Sequence, residues 1–254
     1  MVYEGGFDVD YKKIDRMAEL FRNSHNTVVV TGAGISTEAG IPDFRGENGV
    51  YTIVGENRAM KIINIDAFRR DPEGFYTFYR QYLMFPPVEP SKAHYMLAQL
   101  ENKGFIRAIV TQNIDNLHQK AGSKRVIPIH GTADRFICTK CRSVYNSEYV
   151  EKSKNVPVCE KCGGILKPDV VLFGEQIYNY ADAHEAIVHA KLLVVIGSSL
   201  TVYPLAGFVK EFSTFYQDLI ILNKSRTQLD HAAIVKVDSG NTGDVLEEIY
   251  KRIG

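Results

Sequence analysis

This 254-residue chain carries no excess of charge of either sign: Lys plus Arg number 30, and so do Asp plus Glu. That balance excludes a surface dedicated to nucleic acid or to an anionic membrane. The chain also has no apolar run approaching the roughly 18 residues needed to span a bilayer. Its opening residues, Met1-Val2-Tyr3-Glu4-Gly5-Gly6, have neither the basic nor the apolar region of a signal peptide. A cytoplasmic protein with no membrane partner is expected. Internal repeats and low-complexity tracts are missing as well. What remains is one large domain, or one domain with an insert, long enough to bury a substantial core.

Cysteine is scarce, four in all, but it is not scattered. Cys138 and Cys141 form one Cys-x-x-Cys pair, Cys159 and Cys162 a second, with 17 residues between the pairs. This is zinc-ribbon spacing, in which each pair sits on a tight knuckle and four thiolates close a tetrahedron. Two disulfides are the alternative, and they fit poorly with a cytosolic chain. Four sulfur ligands leave no open position, so the expected Zn2+ site is structural. Gly163 and Gly164 suit the turn that follows.

Apolar periodicity gives the outline of the fold. Ile14, Met17, Ala18 and Phe21 recur at helical spacing over residues 10–23. Strand-like runs follow at 28–30, 105–111, 126–130, 170–173, 192–196, 219–223 and 234–237, with helical stretches between most of them and a last helix near 244–252. Alternating strands and helices predict an α/β fold, a Rossmann-like parallel sheet covered on both faces. Its function would gather at the carboxyl ends of the strands. Two segments break the alternation. Residues 46–100 read as a helical insertion and 131–168 as a zinc-binding insertion, together a smaller inserted domain. The NAD-binding type of domain would then comprise 1–45, 101–130 and 169–254.

Val28-Val29-Val30-Thr31 runs directly into Gly32-Ala33-Gly34, which lets the backbone turn sharply and approach a ligand closely. A helical segment beginning there would aim free N–H groups at a phosphate. The bland alternative is a tight turn with no ligand. Thr37 stands where a dinucleotide dehydrogenase would have its third glycine, and no strand ends in an acid roughly 20 residues further on. A nucleotide is therefore expected and ordinary hydride transfer is not. Pro42-Asp43-Phe44-Arg45 adds a rigid turn, an acid, an aromatic ring and a guanidinium.

Residues 32–45 resemble the signature of the sirtuins, the NAD-dependent protein deacylases, with Ala39 in place of the usual serine. Further sirtuin-like blocks recur in order down to about residue 223. By that resemblance Ala33, Thr37, Phe44 and Arg45 line the nicotinamide and phosphate side of an NAD site. Thr111-Gln112-Asn113-Ile114-Asp115-Asn116-Leu117-His118 matches a second sirtuin block. It implies Gln112 at the ribose, Ile114 and Asp115 on the nicotinamide carboxamide, and Asn113 as a catalytic residue ordering the ribose side of the pocket. Helix capping by Asn113 or Asp115 is the plainer role. His118 sits inside that block's helix and reads as structural.

His130 follows the strand that begins at Val126, at the expected cleft edge, and an imidazole takes up a proton near neutrality without an extreme shift. In sirtuins the Ile-His-Gly histidine is the general base. Val171, Phe173, Gly174 and Glu175 resemble the family's substrate strand, whose extended edge pairs with a visiting peptide. Val202 resembles the opposite wall. Ser198 and Ser199 read as a second nucleotide loop, with Asn223 and Asp244 as weaker candidates for the adenosine half. Each alone is an ordinary strand–loop turn; it is their combination that points to a site. Sirtuins that remove succinyl or malonyl groups resemble one another in a Tyr-x-x-Arg pair. Here Tyr76 is followed by Tyr79, with Arg80 one position on, turned away on a helical wheel.

The resemblance implies an NAD-dependent protein-lysine deacetylase acting on acetyl-lysine proteins. Nicotinamide, O-acetyl-ADP-ribose and free lysine would be the products. A protein mono-ADP-ribosyltransferase, or a non-catalytic nucleotide-sensing zinc-ribbon module, are the alternatives.

Overall fold

The computed structural model describes residues 10–215 and 217–253. The expectations that touch residues 1–9, Tyr216 or Gly254, including the start of the 1–45 range, lie outside the described residues. Nine strands follow in chain order: β1 (Thr27–Thr31), β2 (Ala108–Thr111), β3 (Val126–Pro128), β4 (Gly131–Cys138), β5 (Val144–Asn146), β6 (Leu166–Val170), β7 (Leu192–Ile196), β8 (Asp218–Leu222) and β9 (Val235–Val237).

Six of them form one sheet in the order β3-β2-β1-β7-β8-β9, and every neighbouring pair is parallel. This is the doubly wound Rossmann order, whose direction of growth reverses between β1 and β7. Burial on both faces is written into the strands as an alternation. Val29, Val194, Ile196 and Ile220 pack into one apolar core, while Val28, Val30, Val195 and Ile221 pack into the other. The helix Tyr11–Asn23 covers the first face with Ile14, Met17, Ala18 and Phe21, and the Asp10 carboxylate caps its start by accepting from Lys12 N–H.

A third apolar core belongs to the smaller domain. Phe75, Tyr76, Phe78 and Tyr79 of the helix Pro72–Tyr82 meet Phe136, Cys138, Val150, Cys159 and Leu166 from the cysteine segment. The two insertions are thus packed on each other, around a three-stranded antiparallel sheet ordered β5-β4-β6. The helix Lys92–Asn102, although most of it falls in the 46–100 range, packs on the large sheet through Ala93, Leu97 and Leu100.

One expected strand moves. The run 170–173 does not join the parallel sheet: the strand is Leu166–Val170, in the small sheet, and its ladder ends early for a physical reason. Val171 N–H donates to the His130 carbonyl, Leu172 N–H to the Glu175 carboxylate and Phe173 N–H to the Ile63 carbonyl, so successive residues bond in different directions. The strand expected from Phe105 starts at Ala108, because Phe105 N–H closes the preceding helix on the Leu100 carbonyl.

Candidate active site

Register sets the site. Thr31 pairs with Thr111 on one side and with Ile196 on the other, so Gly32, Gln112 and Gly197 leave the sheet at one level, at the carboxyl ends of adjacent strands. Gly32 N–H donates to the Ile196 carbonyl at 3.0 Å and Gly34 N–H to the Gly197 carbonyl at 2.9 Å. A Cβ on Gly34 would lie 2.7 Å from Gly197 Cα, and one on Gly197, where φ is +62°, would lie 2.4 Å from Ile35 N. The close approach these glycines permit is first of all between the two loops themselves. Ala33–Ala39 then forms a 3-10 turn rather than an α-helix, ending at Gly40 in the left-handed region.

Ser36, buried inside that turn, is the hub of the polar cluster. Its hydroxyl donates to Asp115 Oδ2 at 2.7 Å and accepts from Asn113 Nδ2 at 3.1 Å. Asp115 Oδ1 accepts Leu117 N–H at 2.9 Å. Each carboxylate oxygen retains a lone pair, so an amide N–H2 from a ligand fits this donor and acceptor set. Ser198, also buried, donates to Gln112 Oε1 at 2.8 Å and so joins the second loop to the Gln112 block.

His130 stands at the same edge, half-buried. Its Nδ1 lies 3.0 Å from the Gln112 carbonyl oxygen. A carbonyl can only accept, so Nδ1 carries the proton and Nε2 is left as the free basic nitrogen. Burial pushes the imidazole below the ordinary histidine range, against a smaller upward pull from the carbonyl bond.

The remaining predicted residues are distributed around this centre. Phe44 and Ile114 pack against the smaller domain's core, with Phe44 tilted on Tyr51 at 5.1 Å. Arg45 is held by Glu56 and lies over the Tyr51 ring, its guanidinium carbon 5.0 Å from the centroid. Thr37 is exposed and donates to the Gly34 carbonyl, while Ala33 is half-buried. Ser199 meets Thr201 at 2.9 Å, and the Val202 carbonyl receives Ala206 N–H. Asn223 ties down the loop after β8 through the Ser225 carbonyl, and Asp244 is paired with Lys92 at 2.7 Å.

A match to the Sir2 family model covers residues 32–204, which takes in the glycine turn, the Gln112 block, His130, the four cysteines and the Val202 loop. The chain belongs to the Sir2 family. Two relatives, each named an NAD-dependent protein deacetylase, come from Clostridium perfringens (strain 13 / Type A) and Sulfurisphaera tokodaii. The first is 42% identical over 245 residues, covering 93% of this chain and 98% of the relative. The second is 44% identical over 229 residues, covering 88% and 89%. Among solved structures, Sir2 with a p53 peptide and NAD+ superposes with a TM-score of 0.83 at 36% identity, covering 94% of this chain and 97% of that one. Sir2 bound to acetylated peptide gives 0.81 at 35%, covering 95% and 99%.

The sirtuin zinc module is assembled as its spacing predicts. The four Sγ atoms lie within 4.8 Å of one another, with Cys138 to Cys162 at 3.4 Å and Cys141 to Cys159 at 3.5 Å. Tetrahedral zinc with bonds of about 2.3 Å spaces its sulfurs by about 3.8 Å, so the four thiols fit Zn2+. All four are free thiols, which disposes of the two-disulfide alternative. Lys140 and Cys141 N–H groups point at Cys138 Sγ, and the Tyr145 hydroxyl donates to Cys159 Sγ at 3.1 Å. Such outer bonds orient the ligands.

Ser36 and His94, which pairs with His118, escaped the sequence reading. His118 Nε2 meets Thr31 Oγ1 at 2.9 Å, and Thr31 Oγ1 donates to Thr111 Oγ1 at 2.8 Å. His94 lies against His118 with ring centroids 4.8 Å apart, and its Nδ1 meets the Ser91 hydroxyl at 2.8 Å. This polar layer sits directly beneath the glycine turn and the Gln112 block, since Thr31 precedes Gly32 and Thr111 precedes Gln112. His118 does have the structural role its position implied.

Proposed function

We propose that this chain is an NAD-dependent protein-lysine deacetylase, and that its two substrates are NAD and an acetyl-lysine protein. The observation that carries this reading is His130: an uncharged imidazole with Nδ1 spent on the Gln112 carbonyl and Nε2 free, beside the Ser36–Asp115–Asn113 cluster. The acetyl carbonyl oxygen displaces nicotinamide from the ribose carbon of NAD, and one water completes the transfer of the acetyl group to ADP-ribose with release of free lysine. Asp115, oriented by Ser36, holds the carboxamide, with Ile114 against the ring. Asn113 and Gln112, the latter locked by Ser198, order the ribose. His130 Nε2 takes the proton from a ribose hydroxyl as that oxygen attacks the acetyl carbon. Phe44 shields the reacting face from water. Ala33, Thr37, Arg45 and Ser199 lie along the phosphates, and Asn223 and Asp244 towards the adenosine half. Zn2+ on Cys138, Cys141, Cys159 and Cys162 holds the smaller domain together and takes no part in the chemistry.

The peptide runs between Val171–Glu175 and the Val202 loop. Because the amides of Val171, Leu172 and Phe173 are already bonded inside the protein, backbone pairing falls on Gly174. The balanced charge supports protein substrates over nucleic acid, and four thiols suit a reducing cytoplasm. Among the described residues no helix is long and apolar enough to cross a membrane. Nicotinamide release that depends on an acetyl-lysine peptide, with O-acetyl-ADP-ribose as co-product, is the deciding assay. Label passing from NAD to protein without loss of acetyl groups would instead support mono-ADP-ribosylation.

A further inference from the structure

Lys167, on β6, is a mostly buried cation, its side chain 16% exposed. A buried ammonium is tolerated only where its N–H groups find acceptors. Here Nζ donates to the Val170 carbonyl at 2.8 Å, to the Pro168 carbonyl at 3.3 Å and to Glu175 Oε2 at 2.9 Å. The same Glu175 oxygen accepts Leu172 N–H at 2.9 Å, and Glu175 N–H returns to the Leu172 carbonyl at 3.0 Å. The turn Leu172–Glu175 is thus closed twice, once by its own backbone and once by a carboxylate that Lys167 neutralises. The segment is fixed on its other side by Val171 N–H on the His130 carbonyl at 2.9 Å, and Phe173 is bonded to both Ile63 and Ile65. Inside the turn, Gly174 has φ of +91°, and among the described residues its N–H has no partner within the protein.

We propose that Lys167 is a positioning residue for the peptide substrate. It fixes the Leu172–Glu175 turn so that the Gly174 amide is presented to a visiting backbone. Without the ammonium, Glu175 is a half-buried carboxylate lacking its counter-ion, and the Val170 carbonyl loses its donor. The turn then loosens, and peptide binding has to bear the cost of ordering it. The inference rests on the deacetylase reading for the identity of the peptide, but not for its test.

The test is Lys167→Met in the full chain, read by fluorescence anisotropy of a labelled acetyl-lysine peptide and, separately, by NAD binding. The expected result is a peptide Kd weakened about tenfold, the size of one lost charge-assisted contact, with NAD affinity unchanged and Tm lowered. Lys167→Arg should recover most of the peptide affinity. If Lys167→Met does not fold, Lys167→Gln carries the same expectation. An unchanged peptide Kd, or equal weakening of peptide and NAD, overturns the proposal. A parent protein that binds the peptide without releasing nicotinamide would sink the deacetylase reading while leaving this comparison decisive; a parent that binds no peptide sinks both.

Discussion

His130 and Gln112 are joined by a single hydrogen bond, from Nδ1–H to a backbone carbonyl 3.0 Å away, and that bond selects which nitrogen of the imidazole can act as a base. Because the acceptor is main chain, no side-chain substitution at position 112 removes it. Replacing the histidine does remove the base. His130→Ala is expected to lower kcat for deacetylation by about 10²–10⁴ while NAD binding persists. Exchange of free nicotinamide into NAD, which precedes the base step, should suffer less. Equal loss of both in a folded variant would deny His130 this task.

The same residue sets the acid limb of the pH profile. Its folded pKa is lowered by burial, so the neutral form persists to more acid pH than for an exposed histidine. The acid-side midpoint of kcat/KM should therefore lie below about 6.5, the ordinary histidine value. A midpoint above that value contradicts the burial argument.

His94 and His118 make a stability prediction. Burial holds His94 down to about 4 and His118 to about 3, so both are neutral in the folded protein. The unfolded chain takes up these protons near pH 6.5, so the stabilisation is complete above that value and is lost as pH falls towards the folded values. The unfolding free energy from urea titration should decline between about pH 6.5 and pH 4, with a slope on the order of 1.4 kcal/mol per histidine per pH unit. His118→Asn should flatten that decline. An unaltered slope in the variant would assign the loss to carboxylates instead.

Cys138 and Cys159 are buried in the core that also holds Tyr76, Phe136 and Leu166, so metal loss should not stay local. Structural zinc in small modules is worth roughly 10–16 kcal/mol of apparent binding free energy. Cys138→Ala or Cys159→Ala is expected to aggregate or to melt at much lower temperature. The parent should carry about one zinc per chain by elemental analysis. A metal-free parent of full stability would falsify the structural assignment.

Acyl preference follows from what surrounds Tyr76. Its hydroxyl is spent on the Leu166 carbonyl at 2.5 Å, and Tyr79 three residues on is fully buried. Arg80, which the helical wheel turned away from Tyr76, does reach it: its guanidinium carbon is 5.3 Å from the ring centroid. The reason is that a long side chain at i+4 spans the helical offset. Its Nη2, however, is held by the Ser153 and Asn155 carbonyls and the Ser153 hydroxyl, which anchors the guanidinium on that loop, although its Nε is buried without a partner. A succinyl carboxylate would be desolvated here without a cation free to meet it. Acetyl-lysine peptides should show higher kcat/KM than matched succinyl-lysine peptides; the reverse order would refute the argument.

The parts of the molecule legible in the sequence are those governed by short-range pattern. Val28–Val30 and Leu192–Ile196 read as strands because both faces of a parallel sheet are dry. The cysteine pairs read as a metal site because their spacing allows little else. Ser36 stayed hidden because a lone serine in a glycine turn gives no sign of the Asp115 and Asn113 groups that meet it from 77 to 79 positions away. His94 and its contact with His118 stayed hidden for the same reason, since that contact crosses two helices. The 170–173 run misled because β-branched residues favour extended backbone wherever their hydrogen bonds go.

The knot of Gly32, Gly34 and Gly197 has a mechanical consequence. Two loops whose main chains touch, with no side chain between them to compress or rotate, cannot slide or part without breaking both hydrogen bonds that cross the gap. The rim of the cleft formed by the large sheet is therefore a fixed jaw. Any opening that admits a cofactor or releases a product then falls to the opposite jaw, the domain that holds the four thiols and whose core Phe44 and Ile114 pack against.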